Sequence, residues 1–226
     1  MINFTKRTPS ADVLNKLQKE KAKQSGTYNI PEVVEALKDE FHNKCYICEQ
    51  KNITNLNIEH FKPHKGINRD LMFDWDNLYF ACGHCNNIKL SKYDNILDPG
   101  NQYDDVESLI RYEMPILQKR SVVKITGVSN DEKVNNTVEL LNNVYNGNTC
   151  IKTIEAVNIK KDLVNELLEF TMWLVQYDDD ELEHDEKENL KRNIRKGLNV
   201  KSAFTSFKRQ IVKDTDYLYE EFKEYI

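Results

Sequence analysis

Two Cys-x-x-Cys pairs, Cys45/Cys48 and Cys82/Cys85, constrain the fold of this chain more than any other feature. Each pair forms a turn that points two thiolates at one ion, and two such turns complete the tetrahedron that zinc prefers. A four-thiolate site is closed, so we expect a structural Zn²⁺ that clamps the polar segment between the pairs. The fifth cysteine, Cys150, is interpreted as a small buried hydrophobe or an inert thiol.

Composition limits the class of protein. The chain has 226 residues, of which 39% are hydrophobic, and this is enough to bury a core. The sequence has no apolar run of about 18 residues, and the N-terminus lacks the apolar centre of a signal peptide. Paired cysteines in a reducing compartment indicate metal binding rather than disulfides. These features predict a cytoplasmic protein without membrane contact.

Helical periodicity dominates the chain outside the cysteine-containing segment. Ser10 and Pro31 are the residue types that begin helices, and Asn146-Gly147-Asn148 is a break. The predicted helices span about 10–23, 31–41, 106–112, 131–146, 151–177, 181–196 and 200–225. A weak hairpin is predicted from 114–117 and 122–125.

The predicted fold class is therefore α+β, mostly α, in three regions. Residues 1–44 form N-terminal helices, residues 45–100 the zinc-clamped segment, and residues 101–226 a mainly helical region that ends in a helical bundle. The last region is also the expected surface for partners and nucleic acid.

Glu59 and His60 place an acid and an imidazole on adjacent positions of a predicted strand between the cysteine pairs. Neighbouring strand residues point to opposite faces, so only one of the two is expected in a common site unless the strand twists at its end. By itself the dipeptide is a weak indication of catalysis.

The order of parts from Cys45 to about residue 92 is more specific, and it resembles the HNH nuclease family. In that family a ββα-metal motif holds a divalent cation beside a general-base histidine. The matching parts are the two cysteine pairs, Glu59-His60-Phe61-x-Pro63, Trp75-x-Asn77-Leu78 and Asn86-x-x-Lys89. On this resemblance His60, Asn77 and Asn86 match the three residues that name the motif. Glu59 stands where the family usually has aspartate.

The resemblance implies metal-dependent hydrolysis of phosphodiester bonds in nucleic acid, with DNA favoured. His60 would take a proton from the attacking water. Glu59 and Asn86 would hold Mg²⁺ or Mn²⁺, because oxygen ligands suit hard cations. Asn77 would orient the loop or His60. The side chains expected to contact nucleic acid are Lys62, His64, Lys89, Lys191, Arg192 and Arg195.

Further segments are similar to the PtuB family, the HNH subunits of Septu-type and retron-linked anti-phage systems. These segments are Cys45-x-x-Cys48-Glu49, residues 58–63, residues 74–78, Leu97-Asp98-Pro99 and residues 137–142. The resemblance implies a PtuA-like ATPase partner and, in retron-linked systems, a reverse transcriptase with its RNA–DNA product. The implied substrate is phage DNA or, in retron-linked relatives, host tRNA.

Charge is unevenly distributed along the chain. The net charge is −5, yet residues 178–188 hold eight acidic residues and residues 189–213 hold eight basic residues and no acid. The basic stretch either binds nucleic acid or is a solvated helix face. Net acidity predicts that a basic partner supplies much of the affinity for nucleic acid.

Two other classes of protein stay open, namely a non-catalytic zinc-dependent nucleic-acid-binding module and an interaction scaffold with a vestigial nuclease-like site.

Overall fold

A computed structural model describes residues 1–115 and 122–226 and shows an α+β fold that is mostly helical, as predicted. Its helices are α1 (Ala11–Ala22), α2 (Pro31–Glu40), α3 (Arg69–Met72), α4 (Gly83–Lys89), α5 (Val106–Leu109), α6 (Glu132–Asn146), α7 (Cys150–Tyr177), α8 (His184–Leu198), α9 (Thr205–Lys213) and α10 (Asp216–Phe222). Its strands are β1 (Leu56–His60), β2 (Leu78–Cys82), β3 (Ile110–Glu113) and β4 (Lys124–Gly127). None of the helices in these two ranges is both long and apolar enough to cross a bilayer.

The two N-terminal helices follow the predicted boundary signals. The Ser10 hydroxyl accepts a hydrogen bond from the amide of Val13 and so caps α1, while Pro31 occupies the first turn of α2, where its missing N–H costs nothing. Both helices bury their apolar faces in the main core through Val13, Leu17, Val33 and Leu37. The predictions for helices over 10–23 and 31–41 are thus confirmed.

A β-hairpin followed at once by a helix forms the centre of the main core. β1 and β2 are antiparallel, with Leu56 opposite Cys82 and His60 opposite Leu78. Cys82 ends β2 and is also the N-cap of α4, so the chain turns directly from strand to helix. All five residues of β2 are buried. The short α4 packs across both strands, which completes a ββα unit.

The second hairpin differs from its predicted position. β3 pairs with β4, with Tyr112 opposite Ile125, whereas the predicted strands were 114–117 and 122–125. The helix predicted over 106–112 ends at Leu109, because residues from Ile110 alternate between buried and exposed as a half-buried strand does. Residues 116–121, which include part of the predicted hairpin, lie outside the described residues.

The C-terminal helices pack around α7, and one prediction among them is wrong. The region predicted as one helix over 200–225 is divided into α9 and α10. Asp214 ends α9, and its carboxylate accepts a hydrogen bond from Gln210 of the same helix. The hydroxyl of Thr215 bonds back to the carbonyl of Ile211, which is the local competition that ends helices.

The first cysteine turn is fixed to the C-terminal region through the buried Glu49. The amide of Phe204 donates to the Glu49 carbonyl (3.2 Å), and the amide of Ser206 donates to its carboxylate (3.2 Å). Burial raises the pKa of Glu49, but the Met1 amino group and Lys44 outweigh burial and hold this pKa at about 2. Glu49 is therefore a buried carboxylate anion that joins residues far apart in the sequence.

Candidate functional site

The four paired cysteines converge on one point. Their sulfur atoms all lie within 4.8 Å of one another, and all four residues are buried. The Sγ atoms of Cys48 and Cys82 are 3.9 Å apart. A tetrahedral zinc with Zn–S bonds of about 2.3 Å places its sulfur ligands about 3.8 Å apart. The donor set therefore fits zinc, and the sequence prediction that Cys45, Cys48, Cys82 and Cys85 share one site is confirmed.

Local backbone geometry presents each pair of thiols. In the first turn the amide of Glu49 donates to the carbonyl of Cys45 (2.9 Å), and the amide of Cys45 donates to the carbonyl of Gln50 (3.0 Å). In the second turn the amide of Cys85 donates to the Cys82 sulfur (3.4 Å). Burial raises the pKa of the Cys48 and Cys85 thiols well above the usual value, whereas hydrogen bonds from the other three thiols outweigh burial at Cys45 and lower its pKa well below that value. A shared cation would complete this cluster by stabilising all four as thiolates.

Residues around the cluster hold it against the helices. The phenol of Tyr145 on α6 donates to the carbonyl of Cys48 (2.8 Å). The ring nitrogens of His84 contact Glu155 (2.7 Å) and the carbonyl of Val144 (2.8 Å). His84 is thus not a zinc ligand, since α6 and α7 hold both of its ring nitrogens.

Glu59 points into the protein, and both of its carboxylate oxygens are occupied. The phenol of Tyr46 donates to Oε2 (2.7 Å), and the ammonium group of Lys89 lies 2.7 Å from Oε1. Burial raises the pKa of Glu59, while the positive charge of Lys89 opposes that effect. Adjacent strand positions do face opposite sides here, because Glu59 is buried whereas His60 is only half-buried.

Lys89 is a buried partner of Glu59 rather than a surface cation. Its side chain has no exposed area, and its Nζ also donates to the carbonyl of Phe61 (2.9 Å). This placement corrects the expectation that Lys89 contacts phosphate. No pattern in the sequence indicates the pairing, since the two residues lie on different elements.

The residues expected to bind a catalytic cation do not form an open site in this arrangement. Both oxygens of Glu59 are engaged, so a cation would have to displace Lys89. Asn86 lies three residues before Lys89 on α4, and its side chain is half-exposed. Within the described ranges, the four cysteines are the only group of three or more His, Cys, Asp or Glu side chains close enough to share an ion. Coordination of Mg²⁺ or Mn²⁺ by Glu59 and Asn86 therefore stays a prediction.

His60 ends β1 with one ring nitrogen fixed. Its Nε2 atom lies 3.0 Å from the carbonyl oxygen of Met72, which only an N–H can approach favourably. The proton is therefore assigned to Nε2, which leaves the lone pair on Nδ1. The ring contacts Tyr28 and His64, with centroids 4.5 and 4.3 Å away. Burial is the main cause that lowers the pKa of His60 to about 4, so the ring is neutral at pH 7.

Asn77 fixes the segment that carries Met72, whose carbonyl oxygen contacts the His60 ring. Its side-chain oxygen accepts from the amide of Lys62 (2.7 Å), and its Nδ2 donates to the carbonyls of Lys62 (3.0 Å) and Leu71 (2.9 Å). Asn77 is buried, and it joins Lys62, two residues after β1, to Leu71 within α3. The carbonyl of Met72 is held in place next to one of these anchor points.

The other side chains expected to contact nucleic acid lie in two places. Lys62 is exposed and His64 half-buried near His60. Lys191 is paired with Glu221 (2.7 Å), so its charge is partly neutralised. Arg192 and Arg195 line a cleft of about 540 Å³ with five other residues, namely Lys196, Asn199, Lys201, Ser202 and Tyr225. Four of these seven side chains are cationic.

Arg195 has an unusual position in this cleft. Its guanidinium group lies over the ring of Tyr225, 4.9 Å from the centroid. Its Nε is the one buried side-chain polar atom without a hydrogen-bond partner in the described part of the chain.

Sequence reasoning missed Tyr46 and Tyr28, which complete the surroundings of Glu59 and His60. The only signal for Tyr46 is its place inside the first cysteine turn, and Tyr28 lies in a loop without any motif.

Comparison of the chain with protein-family models, with curated proteins and with solved structures found no match.

Proposed function

We propose that this protein is an HNH-type endonuclease that hydrolyses phosphodiester bonds in nucleic acid, with DNA as the favoured substrate. One observation carries the proposal. A neutral, half-buried imidazole at the end of the first strand of a ββα unit has its Nε2 held by a backbone carbonyl, so Nδ1 is free to accept a proton. The unit also lies beside a four-cysteine cluster, in the order that the sequence resemblance to the HNH family predicts.

In this proposal His60 is the general base. Nδ1 takes a proton from a water molecule whose oxygen attacks phosphorus, and the bond from phosphorus to the leaving ester oxygen breaks. The ring is neutral at pH 7 and so has a lone pair on Nδ1 for that proton, while its pKa of about 4 makes it a weaker base than an ordinary histidine. Asn77 would hold the loop so that the Met72 carbonyl keeps the ring in one tautomer, as an acceptor on the second nitrogen does in other catalytic histidines.

A catalytic Mg²⁺ or Mn²⁺ stays part of the proposal through the resemblance to the family. Its coordination by Glu59 and Asn86 requires Lys89 to leave the Glu59 carboxylate. A cation that binds together with a substrate phosphate would replace the positive charge of Lys89 at Glu59.

The acidic chain is expected to act with a partner. A PtuA-like ATPase is the partner that the family resemblance implies, and a retron reverse transcriptase with its RNA–DNA product is a further one. Host tRNA is the alternative substrate. The cationic cleft around Arg195 would supply a phosphate contact, and the net charge of −5 favours a complex in which the partner supplies more positive charge.

The test is a cleavage assay on the full chain with plasmid DNA and total tRNA. Reactions contain Mg²⁺, Mn²⁺ or EDTA, with and without the product of a neighbouring ATPase gene. His60→Ala is expected to remove at least 99% of cleavage and leave one zinc per chain, because general-base catalysis supplies about 10²- to 10⁴-fold. His184→Ala, a change at an exposed histidine on α8, is the matched control and is expected to cleave normally.

Cleavage by the His60→Ala variant at the normal rate would contradict the role of His60. Cleavage in EDTA would contradict the requirement for a divalent cation.

A second candidate function is supported by the ion pair between Lys89 and Glu59, which closes the expected cation site. This candidate is a zinc-stabilised nucleic-acid-binding module without catalysis, and it predicts binding without cleavage by both the wild-type chain and the His60→Ala variant.

A further inference from the structure

Helix α7 is apolar on two opposite sides. One side packs in the cores through Ala156, Ile159, Leu163, Leu167, Phe170, Leu174 and Tyr177. The other side exposes six large apolar residues, which are Ile151, Ile154, Val157, Leu168, Met172 and Val175. Ile151 and Val175 are 69% and 67% exposed, although they lie at opposite ends of the helix. A helix that is apolar all round normally has both sides covered.

The exposed side has the spacing of a coiled-coil seam. Successive residues along this side are separated alternately by three and by four positions. They are Ile151, Ile154, Asn158, Lys161, Asn165, Leu168, Met172 and Val175. These are successive a and d positions of four heptads, so they form one stripe along the helix. The stripe extends over about 36 Å at a rise of about 1.5 Å per residue. We call these eight residues the α7 seam.

We propose that the α7 seam of one chain packs in antiparallel orientation against the α7 seam of a second copy. A twofold axis near residue 163 then places each a residue beside a d residue of the other copy, as antiparallel helix pairs require. Ile151 would meet Val175 of the second copy, and Ile154 would meet Met172. The two ends of the seam are thus complementary when it is reversed, and the same register places Asn158 beside Leu168 of the second copy.

The polar residues of the seam select this orientation. An antiparallel pair places the ammonium group of Lys161 next to the amide of Asn165 in the second copy, where the amide oxygen accepts a hydrogen bond. A parallel pair would place Lys161 against its own copy in the seam and bury two like charges. Polar residues at such positions set register and orientation at some cost in stability. Lys161 therefore favours the antiparallel pair.

The size of the surface fits a reversible dimer. Each exposed apolar side chain of α7 offers on the order of 100 Å². Together with the polar seam residues this approaches the roughly 800 Å² per partner of a standard specific interface. Asp162 and Glu169 lie along one edge of the seam, so the two copies would bring acids together there. Dimerisation is consequently expected to strengthen as salt screens this repulsion.

Analytical ultracentrifugation of the full chain tests the dimer. The chain is studied at about 1 to 200 μM, a range that spans a dimer Kd on the order of micromolar. We expect a monomer–dimer equilibrium that shifts toward dimer at 0.5 M NaCl. The double variant Ile154→Glu/Met172→Glu is expected to weaken dimerisation at least tenfold while its thermal unfolding and zinc content stay unchanged. Ile67→Glu, which alters an 84% exposed residue outside α7, is the matched control and is expected to dimerise normally. A wild-type chain that is monomeric throughout, or a double variant that dimerises normally, would overturn the proposal.

Cross-linking of cysteines tests the orientation. Cys150 is exposed at the start of α7, and in the proposed register it lies on the same edge of the seam as the exposed Asp178 of the second copy. A short bismaleimide is expected to join Cys150 of one chain to the introduced thiol at position 178 of the other in the variant Asp178→Cys. Both positions flank the full length of α7, so the reagent cannot join them within one chain.

The wild-type chain is the control for this cross-link and is expected to give no interchain product. Efficient joining of Cys150 to Cys150 in the wild-type chain would instead indicate a parallel pair and overturn the antiparallel arrangement. None of these measurements depends on nuclease activity.

Discussion

The ammonium group of Lys89 lies 2.7 Å from the carboxylate of Glu59 in the interior of the ββα unit, and neither side chain is more than 4% exposed. The pair connects the helix of the unit to its first strand. It is surrounded by further acceptors and donors, since Lys89 also donates to the carbonyl of Phe61 and Glu59 also accepts from Tyr46. The same pair decides whether a cation can reach Glu59.

Removal of one partner of this pair is expected to be strongly destabilising. Lys89→Met leaves a buried carboxylate without its counter-charge, and such changes cost about 3–5 kcal/mol in the free energy of unfolding. Urea unfolding followed by circular dichroism measures the cost. Lys92→Met is the control, because Lys92 forms an exposed pair with Glu139 that is expected to contribute little to stability.

The double variant Glu59→Gln/Lys89→Met separates charge from packing. It removes both charges, so it is expected to recover most of the stability that Lys89→Met loses. A single variant as stable as the wild-type chain would show that the two groups are not paired in the interior.

The titration of His60 is expected to differ from that of a solvated histidine. Its pKa of about 4 lies below the unfolded value of about 6.5, because burial disfavours the charged ring. The folded state then binds fewer protons than the unfolded state between these values, so His60 reduces stability as the pH falls from about 6.5 to about 4. Above that window His60 has no effect on stability.

Nuclear magnetic resonance of the ¹⁵N-labelled histidine rings measures this titration directly. The resonance that is absent from His60→Ala is expected to keep a neutral ring pattern down to about pH 5, with the proton on Nε2. A midpoint near 6.5 (the ordinary histidine value) would contradict the buried position, and a proton on Nδ1 would contradict the proposed base.

Metal content is expected to depend on all four paired cysteines. The wild-type chain should bind one Zn²⁺, and Cys48→Ser should lose it together with cooperative thermal unfolding, since structural zinc contributes about 10 kcal/mol or more to small metal sites. Inductively coupled plasma mass spectrometry and circular dichroism measure both effects. Cys150→Ser changes the one exposed cysteine and is expected to keep zinc and stability. A zinc-free wild-type chain with normal unfolding would refute the metal centre.

Asn77→Ala is expected to cost about 2–4 kcal/mol, because it removes three hydrogen bonds and leaves buried backbone groups without partners. Hydrogen exchange should show faster exchange of the Lys62 amide, which donates to Asn77 in the wild-type chain. Asn87→Ala, at an exposed position on α4, is expected to change stability by less than about 0.5 kcal/mol. Equal effects of the two changes would argue against the role of Asn77 in ordering the loop.

Local signals in the sequence were sufficient to predict several helix boundaries and the convergence of the four paired cysteines. Ser10, Pro31 and Gly147 mark helix boundaries through backbone chemistry that acts within a few residues, and the structure has a boundary at or next to each. The paired spacing of the cysteines was also sufficient to predict their convergence, because two short turns and one ion leave few other geometries.

Features that depend on distant partners could not be predicted in this way. A lysine is normally exposed, and only the position of Glu59 across the ββα unit makes the buried Lys89 favourable. Division of the helix predicted over 200–225 depends on the Thr215 hydroxyl, which bonds to the backbone carbonyl of Ile211 just after α9 ends. The apolar periodicity of α7 predicted a helix, but it gave no information about which side the rest of the chain would cover.

The contacts of Glu49 have a consequence for dissection of the molecule. Lys44 donates to the carbonyls of Val200 (2.6 Å) and Ser202 (3.0 Å), and Glu49 binds the backbone of Phe204 and Ser206. A fragment that stops at residue 100 would leave an anionic carboxylate and an ammonium group in a newly opened apolar face. The cysteine turn therefore needs residues that are translated about 150 positions later, so this corner of the fold cannot close until the segment from Val200 to Ser206 has left the ribosome.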